Sequence, residues 1–163
     1  MISKIVPCLW FNTQAEEAAR FYVGIFKDSK ITDISYFGEA GKEVHGQPAG
    51  LVLTVAFELE GQSFTALNGG PQFQFTPAVS LQVMCEDQAE IDYYWSKLGE
   101  GGDPTAQQCG WVSDKFGLSW QVVPKIVPEL LKDHKSPASQ RVFAAIMDMK
   151  KLDIAALQRA YKG

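Results

Sequence analysis

The sequence predicts an α+β fold of two βαβββ modules followed by a helical extension. A three-letter word occurs twice, as Gln14-Ala15-Glu16 and Gln88-Ala89-Glu90, 74 residues apart in a chain of 163. Each copy follows an apolar run and a capping residue, and each opens an aromatic-rich segment with helical spacing. Beyond Pro124 the strand-like pattern gives way to helical stripes. Duplicated modules of this kind can face each other across a shared concave surface, where ligands usually sit.

Each element follows from local chemistry. Residues 5–11 form a nearly continuous apolar run of strand length. Thr13 and Glu16 have the spacing of a capping box for a helix running to about Phe26, with Ala15, Ala18, Ala19, Tyr22, Ile25 and Phe26 on one face. Residues 31–37 are β-branched and aromatic and read as a strand, followed by a loop over residues 38–50. Residues 51–59 and 62–68 flank Glu60-Gly61 as a hairpin.

The second module opens with a strand at 79–85. Asp87 and Glu90 repeat the capping pattern, and Ile91, Tyr94, Trp95 and Leu98 form a helical stripe that Gly99 stops. Three short strands are expected around 105–108, 110–113 and 118–123. After Pro124, the Ser136-Pro137 pair starts a helix with the stripe Val142, Phe143, Ile146 and Met147. The expected organisation is paired modules over 1–124, at about 3–71 and 78–124. The extension, 125–163, belongs to the same domain because forty residues are too few for a core of their own.

Composition excludes several functions. The chain is 46% hydrophobic and 21% charged with a net charge of −4, and its densest basic stretch is Lys150-Lys151. That balance argues against nucleic-acid binding, which needs clustered Lys and Arg. No run reaches the ~20 apolar residues of a membrane span, and residues 1–7 lack a signal-peptide pattern. Cys8, Cys85 and Cys109 are an odd set without metal-type spacing, as expected of reduced thiols in a cytoplasmic protein.

The module order, together with Leu9-Trp10-Phe11-Asn12, Phe21-Tyr22, Leu67-Asn68-Gly69-Gly70-Pro71, Tyr93-Tyr94-Trp95 and the segment from Cys109-Gly110-Trp111 to Pro124, resembles the vicinal oxygen chelate superfamily. Its members include glyoxalase I and extradiol dioxygenases, and the likeness is to the PhnB-like branch, often labelled 3-demethylubiquinone-9 3-methyltransferase-like. It covers roughly residues 3–124. The resemblance implies a curved, incompletely closed mixed sheet and a homodimer.

Metal-dependent members of the superfamily hold a divalent ion with His, Glu or Gln from strands of both modules. The matching positions here are Pro7, then Ala78 or Ser80, and Gln121. One weak neutral ligand cannot hold such an ion, so no metal and no cofactor are expected. A Rossmann-type methyltransferase needs a glycine-rich turn after its first parallel strand. Neither Gly69-Gly70, between hairpin-type strands, nor Gly99-Glu100-Gly101-Gly102, after a helix, has that context.

The expected activity is metal-independent binding of a small molecule. Gln82 and Gln121 fall in register with Ala78, Ser80 and Ser119, which the resemblance implies are inward positions, Asn68 sits at a strand exit, and Trp111 offers an aromatic wall. Asn68 equally suits a glycine-flanked turn, and the two glutamines equally suit bonding to each other. Trp10 and Trp95 suit core packing, Trp10 if Pro7, Leu9 and Phe11 face the cavity. Glu16 and Glu17 read as helix-start residues rather than paired catalytic carboxylates. The alternatives are an enzyme acting on a small metabolite, glyoxalase- or dioxygenase-like or with Cys109 as nucleophile, and a structural or regulatory dimer.

Overall fold

A computed structural model describes residues 3–163. The chain divides into two compact units, Met1–Gln74 and Phe75–Gly163.

The first unit carries strand β1 (Cys8–Phe11), helix α1 (Ala15–Ile25), strand β2 (Lys30–Tyr36), the short helix α2 (Lys42–His45) and the hairpin β3 (Val52–Leu59) and β4 (Gln62–Asn68). Its sheet has the order β1-β4-β3-β2, with β1 parallel to β4 and the other pairs antiparallel. The hairpin turns as expected: Glu60 and Gly61 both take positive φ, 48° and 84°, the requirement of a tight two-residue turn. Ala15, Ala18, Ala19, Tyr22 and Ile25 bury the apolar face of α1 against β3 and β4. Tyr22 stacks on Phe57, which stacks on Phe64. Full burial of side chains this large stabilises by about 1.5–3 kcal/mol each.

Two expectations for this unit are corrected. The Thr13–Glu16 capping box does not form: the N-cap residue is Gln14 without a side-chain bond, and Glu16 pairs with Arg20 one turn on. Asn68 supplies the cap from β4 instead, accepting from the Ala15 N–H at 2.8 Å. Leu9 and Phe11 are buried, and Phe11 is paired in register with Asn68, so this side of β1 faces the helix. Trp10 occupies the opposite face, where its indole N–H donates to the Gly70 carbonyl and its ring meets Phe73 edge-on at 5.0 Å. Gly69 is needed there because a Cβ would overlap the Trp10 ring.

The second unit carries β5 (Ser80–Cys85), α3 (Gln88–Gly99), β6 (Trp111–Ser113), β7 (Ser119–Pro124), α4 (Val127–Leu130), α5 (Pro137–Met147) and α6 (Ile154–Lys162). Its sheet has the order β5-β7-β6, with β5 parallel to β7. The strand expected around 105–108 is instead a 3-10 turn at Pro104–Ala106 capped by Asp103, and only a bridge from Gln108 to Trp111 remains of it. Pro104, which lacks an N–H and has φ fixed near −65°, favours the turn over a ladder. A Cβ at Gly102 would overlap the Ser113 carbonyl, so that glycine serves close packing against β6.

Helix α3 is capped as its sequence indicates. Asp87 accepts from Glu90 N–H at 2.9 Å, while the Glu90 carboxylate accepts from Glu86 N–H at 2.7 Å. Ile91, Tyr94 and Leu98 bury its apolar face, and the helix packs on β7 and β6. Asp114, 2% exposed, organises the turn before β7 by accepting from Phe116 N–H, Leu118 N–H and the Trp120 indole at 2.8–3.0 Å.

The extension packs into this unit. Val127, Leu130, Val142, Ile146, Leu152 and Leu157 form one hydrophobic cluster, and Cys109 and Val123 from the sheet side pack against it. Ser136 caps α5, the buried Ser139 hydroxyl donates to Leu130 O at 2.7 Å, and Arg141 donates to the carbonyls of Ala160 and Tyr161 at the end of α6. Among the described residues no helix is long and apolar enough to cross a membrane.

Candidate functional site

The β5-β7-β6 sheet buries alternate residues toward α3, and its other face holds most of the candidate binding residues. Register sets Ser80 beside Ser119, Gln82 beside Gln121, and Trp111 beside Gln121 on the far edge. One transverse row therefore reads Gln82, Gln121, Trp111. Gln121 Nε2 donates to Ser80 Oγ at 2.8 Å, and Gln82 Nε2 reaches Gln121 Oε1 at 3.4 Å. Among the described residues no hydrogen bond of the protein's own engages Gln82 Oε1.

Gln82 and Gln121 of this row open on a cavity of about 330 Å³ within the second unit. Gln82, Met84, Gln121 and Val123 contribute from the sheet, with Cys109 beside them. Val127, Pro128, Leu131, Phe143, Ile146 and Leu152 wall it from the extension. A second cavity of about 420 Å³ takes Trp111, Ser119, Gln108, Met147 and again Cys109 into its lining. Among the described residues no Arg lines either cavity, and no other charged or imidazole side chain does.

Cys109 is held by its backbone. Cys109 and Gly110, with φ of 54° and 84°, are the central residues of a tight turn in which Trp111 N–H donates to Gln108 O at 2.8 Å. Their own N–H groups donate to Met149 O at 2.8 Å and Lys150 O at 2.7 Å, which staples the extension to the sheet. Side chains add to this seam. Gln108 donates to Met147 O at 2.8 Å, and Gln88 donates to Leu152 O while accepting from Ile154 N–H. Among the described residues no His, Lys, Asp or Glu lines either cavity beside the Cys109 thiol.

Four of the candidate binding residues, Ser80, Gln82, Gln121 and Trp111, thus share one sheet face. Asn68 does not belong with them. It is 1% exposed in the first unit, and its amide is engaged at both ends, with Ala15 N–H on Oδ1 and Val52 O at 2.9 Å on Nδ2. It is a helix cap, neither a turn former nor a group open to ligand. Trp120 is also core, 2% exposed and bonded to Asp114.

The positions matching the superfamily's metal ligands do not suit a divalent ion. Pro7 and Ala78 have no donor side chain, and Ser80 and Gln121 are neutral and bonded to each other. Among the described residues no three His, Cys, Asp or Glu side chains cluster as a metal site. The cavity's roof was missed by sequence reasoning, which read the extension only as an appendage. The available signal was the repeated apolar stripe of 127–152, whose target sequence alone does not name.

Comparison with known proteins agrees with this architecture. Residues 3–123 match the family model described as 3-demethylubiquinone-9 3-methyltransferase. A solved structure from Bacillus cereus, whose description pairs the same methyltransferase designation with the name PhnB protein, is 37% identical with a TM-score of 0.63. The alignment covers 75% of this chain and 99% of that one. A protein from Pseudomonas aeruginosa, 22% identical over 76% of this chain and 98% of its own, shares the fold with a TM-score of 0.58. No curated protein matches.

Proposed function

Because the chain belongs to the 3-demethylubiquinone-9 3-methyltransferase family, a PhnB-like branch of the glyoxalase fold superfamily, we propose that it binds a small molecule without a metal, in the cavity between the β5-β7-β6 sheet and the C-terminal helices. The observation that carries this reading is the Ser80–Gln121–Gln82 chain of hydrogen bonds opening into an apolar cavity. Small-molecule sites combine apolar walls with a few fixed polar groups, and cavities of about 300–1,000 Å³ are typical. Ser80 holds the Gln121 amide, so its remaining N–H is pre-oriented for a ligand.

The family designation's methyl-transfer chemistry is not part of the proposal. A sulfonium cofactor bearing an ammonium and a carboxylate would bring charges into a cavity lined by none. A homodimer in the cytoplasm is part of the reading, on the family resemblance and the unpaired thiols.

Native mass spectrometry of protein purified gently, without chelator or affinity metal, tests both parts. A dimer retaining an organic compound that Gln121→Leu no longer retains is the expected result. A stoichiometric divalent ion, or a compound held equally by Gln121→Leu, would overturn the assignment.

A further inference from the structure

We infer that the ligand of this cavity is uncharged, with an apolar body and one edge that both donates and accepts hydrogen bonds, as in a carboxamide, lactam or imide. The inference rests on the cavity reading above and narrows it to a chemical class.

The walls set the charge. Eight of the eleven lining residues are hydrocarbon or thioether side chains, two are amides and one is a thiol. Gln82, Met84 and Phe143 leave one side open to solvent, but a carboxylate, phosphonate or ammonium seated against the remaining apolar walls gives up part of its hydration and meets no counter-ion. An unpaired ion in an apolar site pays a desolvation cost that two neutral amides do not offset.

Hydrogen-bond accounting sets the edge. Each glutamine amide has two N–H donors and one acceptor oxygen with two lone pairs. Gln121 spends one N–H on Ser80 and receives only a long 3.4 Å contact from Gln82. Gln82 therefore presents a carbonyl oxygen and an N–H side by side, and Gln121 adds a second N–H beyond it. A lone carbonyl ligand would use the donors and leave Gln82 Oε1 without a partner once water is displaced. A carboxamide edge pairs with both ends. A volume near 330 Å³ limits the apolar body to about one or two rings.

Three probes that share one ring system test the class: 2-naphthamide, 2-naphthoate and 2-naphthylmethylammonium, titrated into the full chain at pH 7 by calorimetry. The amide is expected to bind at least ten-fold more tightly than either ion. Gln82→Leu should weaken the amide five- to ten-fold, and Leu131→Phe, which fills the cavity from the roof, should abolish its binding. Val123→Phe fills it from the floor, should Leu131→Phe fail to fold. An ion that binds as tightly as the amide and is excluded by the filling variants overturns the class and leaves the cavity as a binding site. No binding of any probe, or binding that the filling variants leave intact, overturns the class and the site together.

Discussion

Asn68, the last residue of β4, caps the helix that begins at Ala15, 53 residues earlier in the chain, by accepting its N–H at 2.8 Å while donating to Val52 O at 2.9 Å. One buried amide thus joins the first helix, the third strand and the fourth. The second module solves the same problem locally, with Asp87 capping its own helix. Asn68→Ala leaves an orphan N–H and an orphan carbonyl, each worth about 1–3 kcal/mol when buried. Urea unfolding should show the variant less stable by about 2–4 kcal/mol, whereas Thr13→Ala should change stability by under ~0.5 kcal/mol.

The buried Asp114 carboxylate receives two backbone N–H groups and the Trp120 indole. Asp114→Asn turns one acceptor oxygen into a donor facing donors. A loss of about 2–4 kcal/mol is expected, measured by thermal or urea unfolding, with Trp120→Phe costing less because it removes only one donor.

Gln88 ties α3 to the extension through Leu152 O and Ile154 N–H, and Lys151 pairs with Asp92 beside it at 2.7 Å. Gln88→Ala should raise amide hydrogen exchange across α6 by about ten-fold or more, consistent with the loss of two partly buried hydrogen bonds. The hydrogen bond from Lys151, and then that from Gln88, holds the Asp92 carboxyl below the usual carboxylate range. A depressed folded pKa gives a contribution that is present above the unfolded value of about 3.9 and lost as pH falls through the folded one. The protection of α6 amides, taken as the exchange rate relative to the intrinsic rate at each pH, should therefore fall below about pH 4 in the wild type, and Asp92→Asn should flatten that fall.

Thiol reactivity should separate the three cysteines. Burial, with Glu90 and then Asp87 adding to it, pushes the Cys85 thiol up to about 12, whereas Cys8 is exposed and Cys109 half-buried. A disulfide reagent at pH 8 should titrate two thiols in the native protein and the third only after unfolding. Because folded Cys85 keeps its proton to higher pH than the unfolded thiol, its contribution to stability is full below about 8.5 and declines as pH rises toward 12. Cys85→Ser should remove that alkaline decline in an unfolding series.

Much of this architecture was legible because its signals are local. The Glu60-Gly61 turn, the Asp87–Glu90 cap and the Ser136-Pro137 helix start each lie within four residues of what they determine. The alternation of Ser80, Gln82 and Ser119, Gln121 likewise brought the candidate site to one face, since side chains two apart on a strand share a side. Asn68 was misread because its partners lie 53 and 16 residues away, and its neighbour glycines carry a strong turn signal. The strand lost at 105–108 fell to Pro104 and Asp103, whose turn chemistry outweighed a weak apolar pattern. The roof was not legible because an amphipathic helix declares that it has an apolar face without declaring what that face meets.

The stretch that matches the family ends at residue 123, and the cavity's roof begins at Val127. Floor and ceiling are thus written in segments under different constraints. A floor position such as Gln121 holds both its strand register and its bond to Ser80, while Leu131 packs at the margin of the helical cluster and Phe143 is half-exposed at the cavity's edge. A substitution in the ceiling therefore reshapes the chamber without disturbing the strand register beneath it.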